Sequence, residues 1–320
     1  MYGSLTRYEL AWPLVVVAAA VLFPPYLNNY LLFVGSILLV YAVLALGLDL
    51  IMGHAGQFAL SHVAFYGIGA YVTAILQSRY GVPFPIGLVA AIVVSAALAA
   101  AIAVASVRLR HIYLGLATVA FAAATHWVFE HWRNLTGGVD GMRLPPADFM
   151  FFRAVGDAAN FRVLAVMFAL ILLATFLLVR SKLGRSMAAI RDSEHVAAVS
   201  GISVARTKMW VFMISSAYAS VAGSMLFVFN SFISPIDFTF APAVLLLTML
   251  VVGGMGSIPG VIVGAFLLGI LPEVLRTVLR NYLVWQEFVY GLILVLSITL
   301  MPQGVAGLFK KLTAKRREAK

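Results

Sequence analysis

Two glycine-rich segments stand where apolar helices would otherwise continue. Gly53-His54-Ala55-Gly56-Gln57 follows one apolar run, and Gly253-Gly254-Met255-Gly256-Ser257-Ile258-Pro259-Gly260 follows another. A broken helix exposes backbone N–H and C=O groups. At membrane depth such groups are tolerated only inside protein or beside a water-filled path. One break in each half of the chain points to solute passage. The candidate pathway residues are Asp49, Gly53, His54, Gly56, Gln57 and Ser61, with Gly253, Gly254 and Gly256. Tight turns between hairpin spans are the competing reading of the same glycines.

Other chemistries find little support. Asp49 sits near the inner end of a span, and His126, Glu130, Glu273 and Glu287 near outer ends. A proton relay would need acids at mid-depth. Ser61 and His62 are the nearest approach to a catalytic pair, but adjacent residues on a helix point about 100° apart. His54, His62, His111, His126, His131 and His195 share no metal-ligand spacing, so no metal is expected. The chain has no cysteine and no glycine-rich loop of the form G-x-x-x-x-G-K-[ST]. Any ATP that drives it must therefore bind another chain.

The segment from Gly184 to Val199 is free of Pro and internal Gly and rich in Ala. It predicts a short helix or two, ended by Gly201. Apolar Met187, Ile190 and Val196 suit insertion into a partner's groove, with Arg185, Arg191, Asp192 and Glu194 as a charged rim. A helix resting on lipid headgroups is the alternative. Small residues at helical spacing, Gly67, Gly69 and Ala70, then Gly264, Ala265 and Gly269, predict close helix packing.

The elements that must position these groups follow from composition. Of 320 residues, 63% are hydrophobic and 11% charged, too little charge to coat a soluble domain. Apolar runs predict ten spans, near 11–27, 30–52, 58–78, 84–106, 112–130, 161–180, 208–230, 241–254, 259–280 and 283–302. The first is read as retained, since no small-residue cleavage site follows it. Of the 22 Lys and Arg, 15 fall in loops on the side of both termini, including 181–207. That side is expected to be cytoplasmic, and 131–160 to lie outside. The net charge of +10 is thereby explained without nucleic acid. Trp12, Trp127, Trp132, Trp210 and Trp285 all fall near span ends, where indole prefers to sit. The expected fold is all-α and polytopic: one transmembrane domain over 1–310 and a basic tail over 311–320.

The stretch from Gly47 through Gly53-His-Ala-Gly56-Gln57 and Ser61-His62 to Gly67-Ile-Gly69-Ala70-Tyr71 resembles the signature of branched-chain amino acid ABC importer permeases. So do Leu135-Thr-Gly-Gly-Val-Asp-Gly141, Gly184-Arg185 through Ala-Ile190-Arg191-Asp192-Ser-Glu194 to Gly201-Ile202, Ser234-Pro235, and Val252-Gly253-Gly254-Met-Gly256-Ser257 through Gly264-Ala265. The matches run in order from about residue 35 to 280. Ala-Ile-Arg-Asp and the Thr-Gly-Gly-x-Asp-Gly loop are similar to the M-type permease.

The resemblance implies a heterodimer with a second, H-type permease, seated on two ATP-binding subunits and fed by a periplasmic substrate-binding protein in a bacterial inner membrane. ATP and Mg would sit on the partner ATPases, with no cofactor on this chain. Gly184, Arg185, Arg191, Asp192, Glu194 and Gly201 would belong to the coupling helix. His195 stands where that motif has Glu. Ala243 and Leu245 replace the Ser and acidic residue that often precede the Gly-Gly, which makes the pathway more apolar. A branched-chain or other hydrophobic amino acid is the expected solute. Urea, short amides and aromatic acids are the cargoes of similar importers. A self-sufficient channel or secondary carrier is the rival class.

Overall fold

Long runs of Leu, Val, Ala and Ile fold here as helices, because a helix satisfies every backbone polar group within its own segment. A computed structural model describes residues 27–106 and 111–278, with single positions at Val15, Pro24 and between 285 and 299. The first and last expected spans and the basic tail lie largely or wholly outside the described residues.

Helix α1 (Asn29–Asp49) runs on into a π-helical turn, Leu50–His54. Then come α2 (His62–Tyr80), α3 (Phe84–Ser106), α4 (His111–His131), the short α5 (Arg133–Thr136) and α6 (Asp157–Arg180). Helices α7 (Lys182–Asp192) and α8 (Glu194–Val199) precede α9 (Val204–Phe229), α10 (Phe240–Gly253) and α11 (Ile258–Val278). Four of these segments, Asn29–His54, Phe84–Val104, Asp157–Arg180 and Val204–Phe229, are long and apolar enough to cross a membrane, and Phe240–Gly253 and Ile258–Pro272 are shorter apolar helices. The chain is an all-α polytopic membrane protein.

Two helices make the centre. From Leu39 to Asp49 nearly every side chain of α1 is buried, and α9 is buried from Tyr218 to Val228. α9 packs on α1, α2 and α3, whereas α1 also meets α6, α10 and α11. Polar pairs sit inside this apolar body: Thr73 Oγ1 lies 2.7 Å from Ser224 Oγ, and the Ser215 hydroxyl donates to the Gly47 carbonyl at 2.9 Å. Helix α4 is peripheral. It rests on α2 and on the turns Gly138–Asp140 and Pro235–Phe238.

The small-residue expectation has a specific outcome at the α2–α9 crossing. A Cβ at Gly69 would overlap the Ser220 carbonyl, and one at Gly223 would overlap the Tyr66 carbonyl and stand 2.6 Å from the Ala70 nitrogen. Backbone cannot yield as a side chain can. Gly223→Ala is therefore expected to cost about 1–3 kcal/mol, visible as a lower unfolding midpoint in detergent. Gly81→Ala is the contrast. Gly81 ends α2 at φ 64° with open space around it, so only its left-handed backbone resists, by about 1–2 kcal/mol.

The segment 131–160 closes one end. β1 (Met142–Arg143) pairs antiparallel with β2 (Phe232–Ile233), and the Arg79 guanidinium donates to the Asn134 and Leu135 carbonyls. The Pro235–Phe238 turn is held by Asp237, whose carboxylate accepts from the Ser234 N–H at 3.0 Å. Burial pushes the Asp237 carboxyl up, and that hydrogen bond opposes the shift.

Candidate functional site

The first break forms where α1 underwinds. Its last turn widens to a π-helix, and Gly56 at φ 67° then turns the chain back, with the Gln57 N–H donating to the Ile51 carbonyl at 2.9 Å. Ala55 to Ser61 is non-helical, so the next helix starts at His62 and not near 58 as its apolar run suggested. The Leu60 N–H donates to Thr118 Oγ1 of α4 at 3.0 Å. Thr118 lies about 10 Å along α4 from His111 at 1.5 Å per residue. The non-helical segment thus runs against the body of α4.

The second break forms where α10 ends. Gly254 and Gly256 take φ 102° and 79°, and α11 begins at Ile258. The two helices cross closely through glycine. A Cβ on Gly253 would lie 2.5 Å from the Gly260 carbonyl, and one on Gly264 would lie 2.7 Å from the Gly253 Cα.

The fold brings the two breaks together. Asp49 is 1% exposed, and its Oδ1 accepts from the Gly256 N–H at 2.7 Å. Its Oδ2 lies 3.2 Å from His54 Nδ1. Gly53 fits only as glycine, since a Cβ there would overlap Asp49 Oδ1 and stand 2.5 Å from the Gly256 nitrogen. A buried carboxylate thus caps an N–H left free by the second break, and charge assistance makes that bond stronger than a neutral one.

Arg191 completes the junction from a third element. It lies in the last turn of α7, and its guanidinium donates to the Gly53 carbonyl. The same Nη1 stands 2.7 Å from where a Gly256 Cβ would be, and the Arg191 Cγ lies 3.2 Å from the Cβ position of Gly56. One side chain therefore touches both breaks. Asp49, Gly53, His54, Gly56, Gly256 and Arg191 are gathered here. Gln57 and Ser61 are buried close by, on the non-helical stretch, and Gly253 and Gly254 lie behind Gly256.

The expected helix pair is present. Ser181 caps α7 by accepting from the Gly184 N–H at 3.3 Å, and Ser193 separates and caps α8 by accepting from the Val196 N–H at 3.4 Å. Gly184 lets α7 turn tightly against the Val179 carbonyl, and Gly201 at φ 83° ends the pair. Lys208 holds Glu194 at 2.5 Å, and Arg185 donates to the Arg180 carbonyl at 3.1 Å. Asp192 is exposed. The apolar positions differ from expectation. Met187 and Ile190 are buried against the chain's own helices, because α7 is amphipathic and turns its apolar face inward. Val196 and Val199, 65% and 91% exposed, are the free apolar side chains. Arg191 likewise points inward to Gly53 as well as bordering the surface.

A cavity of about 360 Å³ opens along α4. Val119, Ala122, Ala123, His126, Trp127 and Glu130 form one stripe at helical spacing along it, faced by Leu60, Val63 and the corner Phe238–Phe240. Sequence reasoning found His126 and Glu130 only as isolated ionisable groups. The i, i+3, i+4 recurrence of small residues with both of them was the available signal.

The description "Branched-chain amino acid transport system / permease component" belongs to a family model that matches residues 30–298. The chain is 30% identical to the high-affinity branched-chain amino acid transport system permease protein LivM of Salmonella typhimurium, across 95% of this chain and 76% of that protein. It is 29% identical to LivM of Escherichia coli over the same shares. To the LivH permease protein of Escherichia coli it is 28% identical, across 83% of this chain and 91% of the relative. No solved structure matches it. With the family model covering most of its length and both permease types among its relatives, the chain belongs to the branched-chain amino acid transport system permease family.

Proposed function

We propose that this chain is the M-type transmembrane subunit of a binding-protein-dependent importer in a bacterial inner membrane. It would form half of the pathway for a branched-chain or other hydrophobic amino acid, beside an H-type permease. ATP and Mg act on two partner subunits, and a periplasmic protein delivers the solute. The observation that carries this reading is Arg191. It ties the α7–α8 pair, the natural seat for a cytoplasmic partner, to both helix breaks at once.

The mechanism follows from that tie. ATP binding closes the partner ATPases and displaces α7–α8. Arg191 transmits the displacement to Gly53 and Gly256, and the Asp49 cap keeps the two breaks moving together. Helices α1, α2, α10 and α11 then rock against the partner permease. ATP shifts the populations only because the two states differ in their fit to the closed ATPases. Val196 and Val199 are the apolar anchors of that seat.

Val199→Asp should weaken retention of the ATPases on detergent-purified complex by about tenfold or more, equivalent to at least ~1.4 kcal/mol. Its monodispersity should stay unchanged, since Val199 touches solvent. The reading itself is tested in proteoliposomes holding both permeases and both ATPases, with loaded binding protein outside the face it serves. Leucine uptake that needs ATP and the binding protein supports it. Leucine flux through this chain alone would favour a self-sufficient carrier.

A further inference from the structure

The cavity along α4 is made by residue choice. Alanine at 122 and 123, where larger side chains would fill the stripe, leaves the volume between α4, the non-helical Leu60 and the corner at Phe238. Its walls are apolar except toward one end, where His126 Nδ1 lies 3.7 Å from Glu130 Oε2. That is ion-pair range but too long for a hydrogen bond. The His126 Nε2 is buried and has no hydrogen-bond partner among the described residues. The tautomer that turns Nδ1–H toward the carboxylate leaves Nε2 as an acceptor. The Glu130 carboxylate thus stands at the end of an apolar slot, with the His126 imidazole beside it. That is the inverse of a primary ammonium on an aliphatic body.

Resting on the importer reading above, we propose that this cavity is a transport subsite for an aliphatic amino acid. Glu130 takes the ammonium, and Val119, Ala122, Ala123, Leu60 and Val63 take the side chain. The volume falls near the lower end of the roughly 300–1,000 Å³ of ligand sites. A lipid tail would leave the carboxylate unsatisfied in hydrocarbon. Glu130 would touch the ammonium of the passing solute, and so is a binding residue of the pathway, with His126 beside it.

The absence of cysteine in this chain makes the test direct. Ala123→Cys is introduced, and the assembled importer is reconstituted with its partner subunits and binding protein. Labelling by a methanethiosulfonate reagent is followed with and without L-leucine, and complex with the wild-type chain gives the background. Leucine should slow modification of the introduced thiol severalfold. Separately, Glu130→Gln should lower leucine uptake about tenfold while ATPase stimulation by the loaded binding protein is retained. An introduced thiol that is unreactive, or equally reactive with and without leucine, in complexes whose wild-type counterpart transports normally would overturn the subsite and leave the importer reading standing. Equal loss of uptake and stimulation in Glu130→Gln would mark a structural role and overturn it too. Absence of ATP-dependent leucine uptake in the wild-type complex would instead remove the reading on which the subsite rests.

Discussion

Arg191→Glu is expected to keep ATP hydrolysis but abolish most transport. The guanidinium donates to the Gly53 carbonyl and lies against Gly256. Hydrogen bonds to charged groups contribute about 1.5–3 kcal/mol, and losing one at the point that transmits motion should lower coupled uptake about 10- to 100-fold. Charge reversal adds to this, because the new carboxylate faces a junction that already holds buried Asp49. Val196 and Val199 are untouched, so the ATPases should still be retained and still hydrolyse ATP. Arg191→Lys should recover part of the uptake, since an ammonium can reach the same carbonyl but lacks the planar fork. Parallel assays of ATPase rate and leucine uptake on one preparation check the split. Unchanged coupled uptake in Arg191→Glu would sink the role given to this side chain.

The second large effect lies at Gly53. A methyl group there overlaps Asp49 Oδ1 and presses on the Gly256 nitrogen. Relief requires the carboxylate to swing away, which strips the Gly256 N–H of its partner. Overpacking costs about 1–3 kcal/mol, and a buried donor left unsatisfied about 1–3 kcal/mol more. Gly53→Ala is therefore expected to lower the unfolding midpoint more than Gly223→Ala and to remove detectable uptake. Asp49→Asn isolates the contribution of charge to the same contact. The amide oxygen still accepts from Gly256 while charge assistance is lost, so that variant should lose less stability than Gly53→Ala. Nanoscale differential fluorimetry on the detergent-purified chain, with uptake measured beside it, is the check. A Gly53→Ala protein as stable and active as wild type would contradict the packing given for the junction.

Much of this was legible in the residues. The apolar runs located α1, α3, α6, α9, α10 and α11 to within a few residues, because a spanning helix demands length and composition at once. The Gly184–Val199 stretch declared its helices through absence of breakers, and Gly201 its end. The close crossings were visible as small residues at Gly69 and Gly264, though Gly223 was not singled out. What the residues did not reveal was partnership. Asp49, Gly53, Gly256 and Arg191 were each candidates, but nothing in spacing says that a carboxylate at 49 caps an N–H at 256, 207 positions away. The inward turn of Met187 and Ile190 was missed for a related reason. An amphipathic pattern shows that a face is buried, and tertiary packing decides whether the chain itself or a partner covers it. Helix α2 starts later than its apolar run suggests, because Phe58 and Ala59 continue that run while Gly56 and the Gln57–Ile51 bond turn the backbone out of the helix.

If this chain works as one subunit of an ATP-driven assembly, its partners should travel with it out of the membrane. The most direct measurement is affinity purification of the detergent-solubilised protein from its native membrane, with mass spectrometry of what accompanies it. A second permease of the same family should accompany it, together with subunits carrying the phosphate-binding loop that this chain lacks. A homo-oligomer reproducibly free of any ATPase would contradict that role.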